Sequence, residues 1–193
     1  LRAGGRLGFV GSRNVHPEGG EVTRAVATWC AAGKITVVSG GARGVDQTAM
    51  GSALEAGGTV IGVLADSLLR RSVSRDARYA LADGRLLLIS PYHPDAGFNV
   101  GNAMGRNKFI YALADYGLVV SADLNKGGTW EGATEELKRS PRRPVFVRTT
   151  GDIPKGNQKL VGLGGIPFPA FNEAANAADL LSQAASATAA PDR

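Results

Sequence analysis

The stretch Thr36-Val37-Val38-Ser39-Gly40-Gly41-Ala42-Arg43-Gly44-Val45-Asp46 decides how the rest of the chain is read. Its first four residues make a short strand that is β-branched and apolar enough to be buried. The strand runs into a turn containing three glycines, and a helix is expected from about residue 45 to 56. The next apolar run, TVIGVL at residues 59–64, is a second strand. Strand, glycine turn, helix and strand in that order form one unit of a parallel sheet.

The same alternation continues on both sides. Upstream, residues 6–10 (RLGFV) form a strand that ends in Gly11-Ser12-Arg13, and residues 21–32 form a helix with Val22, Val26 and Trp29 on one face. Downstream, residues 67–81 read as one helix carrying Arg70, Arg71, Arg75 and Arg78 on its surface. Strands follow at residues 86–89, 116–120 and 145–148. Helices are expected at 101–114 and 130–139, with loops at 91–99 and 122–129. Residues 151–170, rich in Gly and Pro, read as an irregular layer over the sheet, and residues 173–184 as a final helix. The pattern predicts an α/β fold with a mostly parallel sheet of at least five strands, covered on both faces. One domain is expected over residues 1–185, with a frayed Ala-rich tail at 186–193.

Composition agrees with a soluble globular chain: 193 residues, 44% apolar and 20% charged. No apolar run is long enough to span a membrane, and no basic-then-apolar leader opens the sequence. The first residue, Leu1, is not methionine, which leaves room for residues before it. The single cysteine, Cys30, excludes an internal disulfide and a cysteine-rich metal site, and reads as a buried inert thiol in a cytoplasmic protein. A net charge of +5 favours acidic partners such as nucleic acid or phosphates.

In an open parallel sheet the turns after the strands share one edge, and ligands bind there where strand order reverses. Three glycine-bearing turns fall on that edge: Gly11-Ser12-Arg13, Gly40 to Gly44, and Gly127-Gly128-Thr129. The helices behind them offer unpaired N–H groups and a partial positive charge, which suit an anion. Arg13, Arg43 and Arg106 add charge. The segment Met104-Gly105-Arg106-Asn107-Lys108, opening a helix, can reach a phosphate over the same edge. The dinucleotide fingerprint and the Walker A sequence are both absent, which argues against a standard NAD enzyme or a P-loop NTPase. His16 and His93 sit beside prolines in loops with no partner pattern, and Arg139, Arg142 and Arg143 read as a solvated helix end. No metal, cofactor or nucleophilic triad is expected.

Gly11-Ser12-Arg13, Val38-Ser39-Gly40-Gly41-Ala42-Arg43-Gly44-Val45-Asp46, Thr59 to Leu64, and Phe98 with Arg106-Asn107-Lys108 resemble the DNA-processing protein A (DprA/Smf) family in order and spacing over roughly residues 7–148. The resemblance implies an extended Rossmann-like three-layer domain that binds single-stranded DNA, takes part in natural transformation, helps load RecA, and acts as a dimer. Gly11, Ser12, Arg13, Gly40, Gly41, Arg106 and Lys108 carry over to the DNA-facing edge. The family's Arg-Asn-Arg stands here as Arg106-Asn107-Lys108, which keeps charge but loses a bidentate fork. Phe98, Phe109 and Trp130 are the stacking candidates. The loop from Lys126 to Glu136 also resembles the LOG-type nucleotide phosphoribohydrolases, with Gly132 standing where that signature places its glutamate.

Two functions of different class follow. One is a binder of single-stranded DNA using Gly11, Ser12, Arg13, Ser39, Gly40, Gly41, Arg43, Arg106, Lys108, Gly127, Gly128 and Thr129. The other is a nucleotide-binding or nucleotide-cleaving enzyme using Arg106 with Glu131 or Glu135. The first predicts a basic groove open at both ends, the second a closed pocket with a carboxylate facing the ribose.

Overall fold

The apolar runs fold as strands, and most of them bury both faces. A computed structural model describes residues 5–170 and 174–189. Among these residues seven strands form one sheet: β1 (Arg6–Gly11), β2 (Thr36–Ser39), β3 (Val60–Val63), β4 (Leu86–Ile89), β5 (Tyr116–Ser121), β6 (Val145–Val147) and β7 (Ile166–Pro167). The helices are α1 (Pro17–Ala32), α2 (Val45–Glu55), α3 (Leu68–Ser72), α4 (Arg75–Ala82), α5 (Val100–Leu113), α6 (Gly127–Lys138), α7 (Lys155–Gly162) and α8 (Ala177–Ala189).

Every strand pairing is parallel, in the order β4-β3-β2-β1-β5-β6-β7. Side chains alternate between faces at period two. Leu7, Phe9, Val37, Leu118 and Phe146 pack with Val26 and Trp29 of α1, Ala49 of α2 and Leu181 of α8. Val10, Val38, Val119, Val145 and Val147 pack on the other face with Ile110 and Tyr111 of α5, Leu137 of α6 and Leu160 of α7. The result is a three-layer α/β fold of Rossmann type. The chain runs outward from β1 to β4, then returns to add β5 on the far side of β1. The order therefore reverses between β1 and β5.

Several boundaries differ from the sequence reading. Helix α1 starts at Pro17 rather than at residue 21, with proline in the first turn, where its missing N–H costs nothing. The helix expected over 67–81 is two, α3 and α4, separated at Val73 and Ser74; the Ser74 backbone is extended, and its hydroxyl donates to the Arg71 carbonyl. Helix α6 starts at Gly127, so the third glycine turn lies inside its first turn. The segment read as irregular contains α7 and a seventh strand, with Ile166 paired to Phe146. Residues 186–189, assigned to a tail, are helical in α8. Glu173 and residues 190–193 lie outside the described residues.

Candidate functional site

The turns after β1 and β2 meet backbone to backbone at the carboxyl edge. The Ser12 N–H donates to the Ser121 carbonyl at the end of β5 over 2.9 Å, and the Val45 N–H approaches the Ser12 carbonyl at 3.4 Å. Gly44 makes this approach possible. Its φ is +88°, and a Cβ there would stand 2.5 Å from the Ser12 oxygen. Ser39, expected among the phosphate contacts, is fully buried, and its hydroxyl donates to the Phe9 carbonyl at 2.8 Å. It joins two strands beneath the site.

Arg106, expected as a free basic group at the edge, is 4% exposed. Helix α5 directs it under the β2 turn, where it donates to the carbonyls of Gly40 and Val63. A Cβ on Gly40 would collide with the guanidinium. Asp46, in the first turn of α2 and 5% exposed, stands 3.7 Å from the same guanidinium. Burial pushes the Asp46 carboxyl up to about 6, against the opposing pull of Arg106 and the Ala42 N–H. Burial likewise lowers Arg106 from the usual arginine range, partly countered by Asp46. The next residue, Asn107, accepts from Arg106 Nε at 3.1 Å and donates to the Gly128 carbonyl at 2.9 Å. Two consecutive residues of α5 thus hold the two sides of the switch point: Arg106 the ends of β2 and β3, and Asn107 the start of α6.

Two adjoining cavities lie above this base. The first, about 280 Å³, sits at the switch point between the Gly11-Ser12-Arg13 turn and Gly128 and Thr129 of α6. The second, about 390 Å³, lies over the ends of β2 and β3 and is lined by Gly40, Gly41, Arg43, Asp66, Arg70 and Arg71. Both share Arg13, Phe98 and Arg106. The Arg13 guanidinium carbon lies 4.8 Å from the centroid of the Phe98 ring, and that ring is 56% exposed. Arg43 donates to the Asn14 side chain at 2.9 Å.

The fold therefore gathers Gly11, Ser12, Arg13, Gly40, Gly41, Arg43, Arg106, Gly128 and Thr129 around one groove. It leaves others aside. Lys108 is exposed with its ammonium 5.3 Å from the Phe109 ring, and it lines neither cavity. Gly127, Glu131 and Glu135 are exposed and line neither cavity. The structural part played by Asp46 was not read from the sequence. Its signal was a carboxylate in the first turn of the helix behind a glycine turn. Arg70 and Arg71 were read as helix surface and line the second cavity.

The carboxyl ends of β5 and β6 are closed by protein. Arg148, 2% exposed, donates to the carbonyls of Val120 at 2.9 Å, Thr150 at 2.7 Å and Asp152 at 2.9 Å. Burial lowers its pKa, with Glu18 and Asp152 opposing. Asn157 of α7 accepts from the Ala122 N–H at 2.8 Å and donates to the carbonyls of Val120 and Arg148. The Glu18 carboxylate accepts from the Asp152 N–H at 2.6 Å. Among the described residues, no group of His, Cys, Asp and Glu could hold a metal ion, and no helix is long and apolar enough to cross a membrane.

The family model described as DNA recombination-mediator protein A matches residues 2–179. DNA processing protein A from Helicobacter pylori, described by its mode of single-stranded DNA binding, is 25% identical with a TM-score of 0.71, over 92% of this chain and 80% of that one. DNA processing protein A from Streptococcus pneumoniae is 23% identical with a TM-score of 0.70, over 83% of this chain and 57% of that one. The molybdenum cofactor binding protein of Rippkaea orientalis is 17% identical with a TM-score of 0.64, over 95% of this chain and 98% of that one, a likeness of fold. No curated protein matches the chain.

Proposed function

The chain belongs to the DNA recombination-mediator protein A family, and from that premise we propose that its carboxyl-edge groove binds single-stranded DNA. The observation that carries this reading is the pair of cavities joined across Arg13 and Phe98. Single strands are held where cationic groups track the phosphates and an aromatic face receives a base. Arg13 and Arg43 supply exposed charge, Phe98 an exposed ring, and the first turn of α6 supplies N–H groups without intrahelical acceptors. The carboxylates lining the two cavities are Asp46, paired with Arg106, and Asp66. Anisotropy of a labelled oligothymidylate, titrated at several salt concentrations, tests the reading. Affinity should fall steeply with salt, and salt-independent binding or none would overturn it.

The finer reading is that the protein works in the cytoplasm on strands taken up in natural transformation, as a homodimer that delivers them to RecA. The family's description as a recombination mediator supports the RecA step. Light scattering of the purified protein and co-sedimentation with RecA on single strands test the dimer and the delivery separately.

A further inference from the structure

We propose that the strand does not end at the switch point but continues over the ends of β2 and β3, where Arg70 and Arg71 of α3 hold further phosphates of the same backbone. This rests on the single-strand reading above and adds its path.

Helix α3 has five residues, LLRRS, with two adjacent arginines. Its position is fixed by the loop before α5. The Ser67 N–H donates to the Ala96 carbonyl at 2.8 Å and the Leu69 N–H to the Pro94 carbonyl at 3.1 Å. The same loop leads on to Phe98, so α3 and the exposed ring are carried on joined backbone. Both arginines are exposed and line the second cavity. Among the described residues neither guanidinium is ion-paired; the four pairs there are Arg6–Asp115, Arg85–Asp83, Arg106–Asp46 and Arg139–Glu136. With Arg13, Arg43 and the buried Arg106, five arginines line about 390 Å³ whose lining holds a single acidic residue, Asp66, and all but Arg106 are exposed and outside any ion pair among the described residues. Unpaired arginines converging on one cavity repel each other unless an anion lies between them. The cavity also shares Arg13, Phe98 and Arg106 with the switch-point cavity, so a chain-like ligand can pass from one to the other, whereas a lone phosphate fills only one. A polyanion with a repeating charge is the ligand that fits both.

The experiment compares the wild-type protein with Arg70→Ala/Arg71→Ala and Arg13→Ala, using a labelled fifteen-residue oligothymidylate across a salt series. Both arginines of α3 are exposed, so the double variant should keep its fold; circular dichroism and thermal unfolding check this. We expect the double variant to bind several-fold more weakly and its slope of log affinity on log salt to flatten by about 1.4, from about 0.7 per released counterion on a single strand. Charge reversal, Arg70→Glu/Arg71→Glu, should weaken binding further. A folded double variant with wild-type affinity and slope would overturn this path while leaving the single-strand reading intact, provided Arg13→Ala still weakens binding. Failure of the wild-type protein to bind the oligonucleotide would overturn both.

Discussion

Arg106 and Arg148 are both buried at the carboxyl edge of one sheet, and both donate to main-chain carbonyls at strand ends. Their surroundings differ. Around Arg148 the protein completes itself: Asn157 of α7, the residue 150–152 turn and Glu18 of α1 cover the ends of β5 and β6. Around Arg106 the protein stops one layer short. Asp46 balances its charge from the side, and above it lie cavities rimmed by Arg13, Arg43, Arg70 and Arg71. The same residue type is a plug on one side of the switch point and a floor on the other. Burial of an arginine is therefore no sign of idleness: Arg106 fixes the β2 turn above it, which lines the second cavity.

The largest expected effect breaks this floor. Arg106→Met should cost about 3–5 kcal/mol of folding stability, because it leaves the buried Asp46 charge without its partner. Denaturant unfolding reads the loss, and oligonucleotide affinity of the remaining folded protein should fall as well. Arg148→Met should cost somewhat less, about 2–4 kcal/mol from unsatisfied buried carbonyls, and should leave affinity unchanged in the cold, where the fold persists. Equal losses of affinity in the two variants would erase the distinction between floor and plug.

A pH series sharpens the same contrast. Asp46 has a folded-state pKa of about 6, raised above its ordinary value by burial. Between about pH 4 and 6 the native state therefore binds more protons than the unfolded state, so stability from this group is greatest in acid and declines as pH rises through 6. The decline amounts to at most about 3 kcal/mol, at 1.36 kcal/mol per pKa unit. Asp46→Asn should abolish it in thermal unfolding measured across that window; persistence of the slope would assign it to another group.

Rim substitutions should be milder. Arg13→Ala is expected to lower oligonucleotide affinity about five- to tenfold, roughly 1–1.4 kcal/mol, with stability within about 0.5 kcal/mol of wild type. The smallest effect is expected for Glu131→Gln and Glu135→Gln, exposed residues that line neither cavity: no change in binding, and no base released from nucleoside monophosphates before or after substitution. Base release that disappears in either variant would restore the nucleotide-cleaving reading.

Six of the strands were legible because runs such as LGFV and TVVS bury both faces and have no helical period. Strand β7 was not, because its two residues, one of them proline, carry no alternation to read. The break between α3 and α4 was hidden as well, since neither Val73 nor Ser74 forbids a helix; at the break the Ser74 N–H and hydroxyl both turn back to the Arg71 carbonyl. At the site, the glycine turns announced the edge, because close backbone approach has a compositional signature. The depth of each cation had none. Arg106-Asn107-Lys108 reads as a basic cluster, yet two residues of helix, just over half a turn, send Arg106 inward and Lys108 to solvent. Only the packing of α5 on the sheet separates them.

The contact between Gly40 and Arg106 imposes an order on how this edge can change over generations. Any side chain at position 40 occupies space the guanidinium already fills. A lineage that first gives up the arginine can later accept alanine or serine in the turn, while one that tries the turn first meets a steric barrier. The glycine thus acts as a ratchet, and the history of the edge is expected to pass through position 106 before position 40.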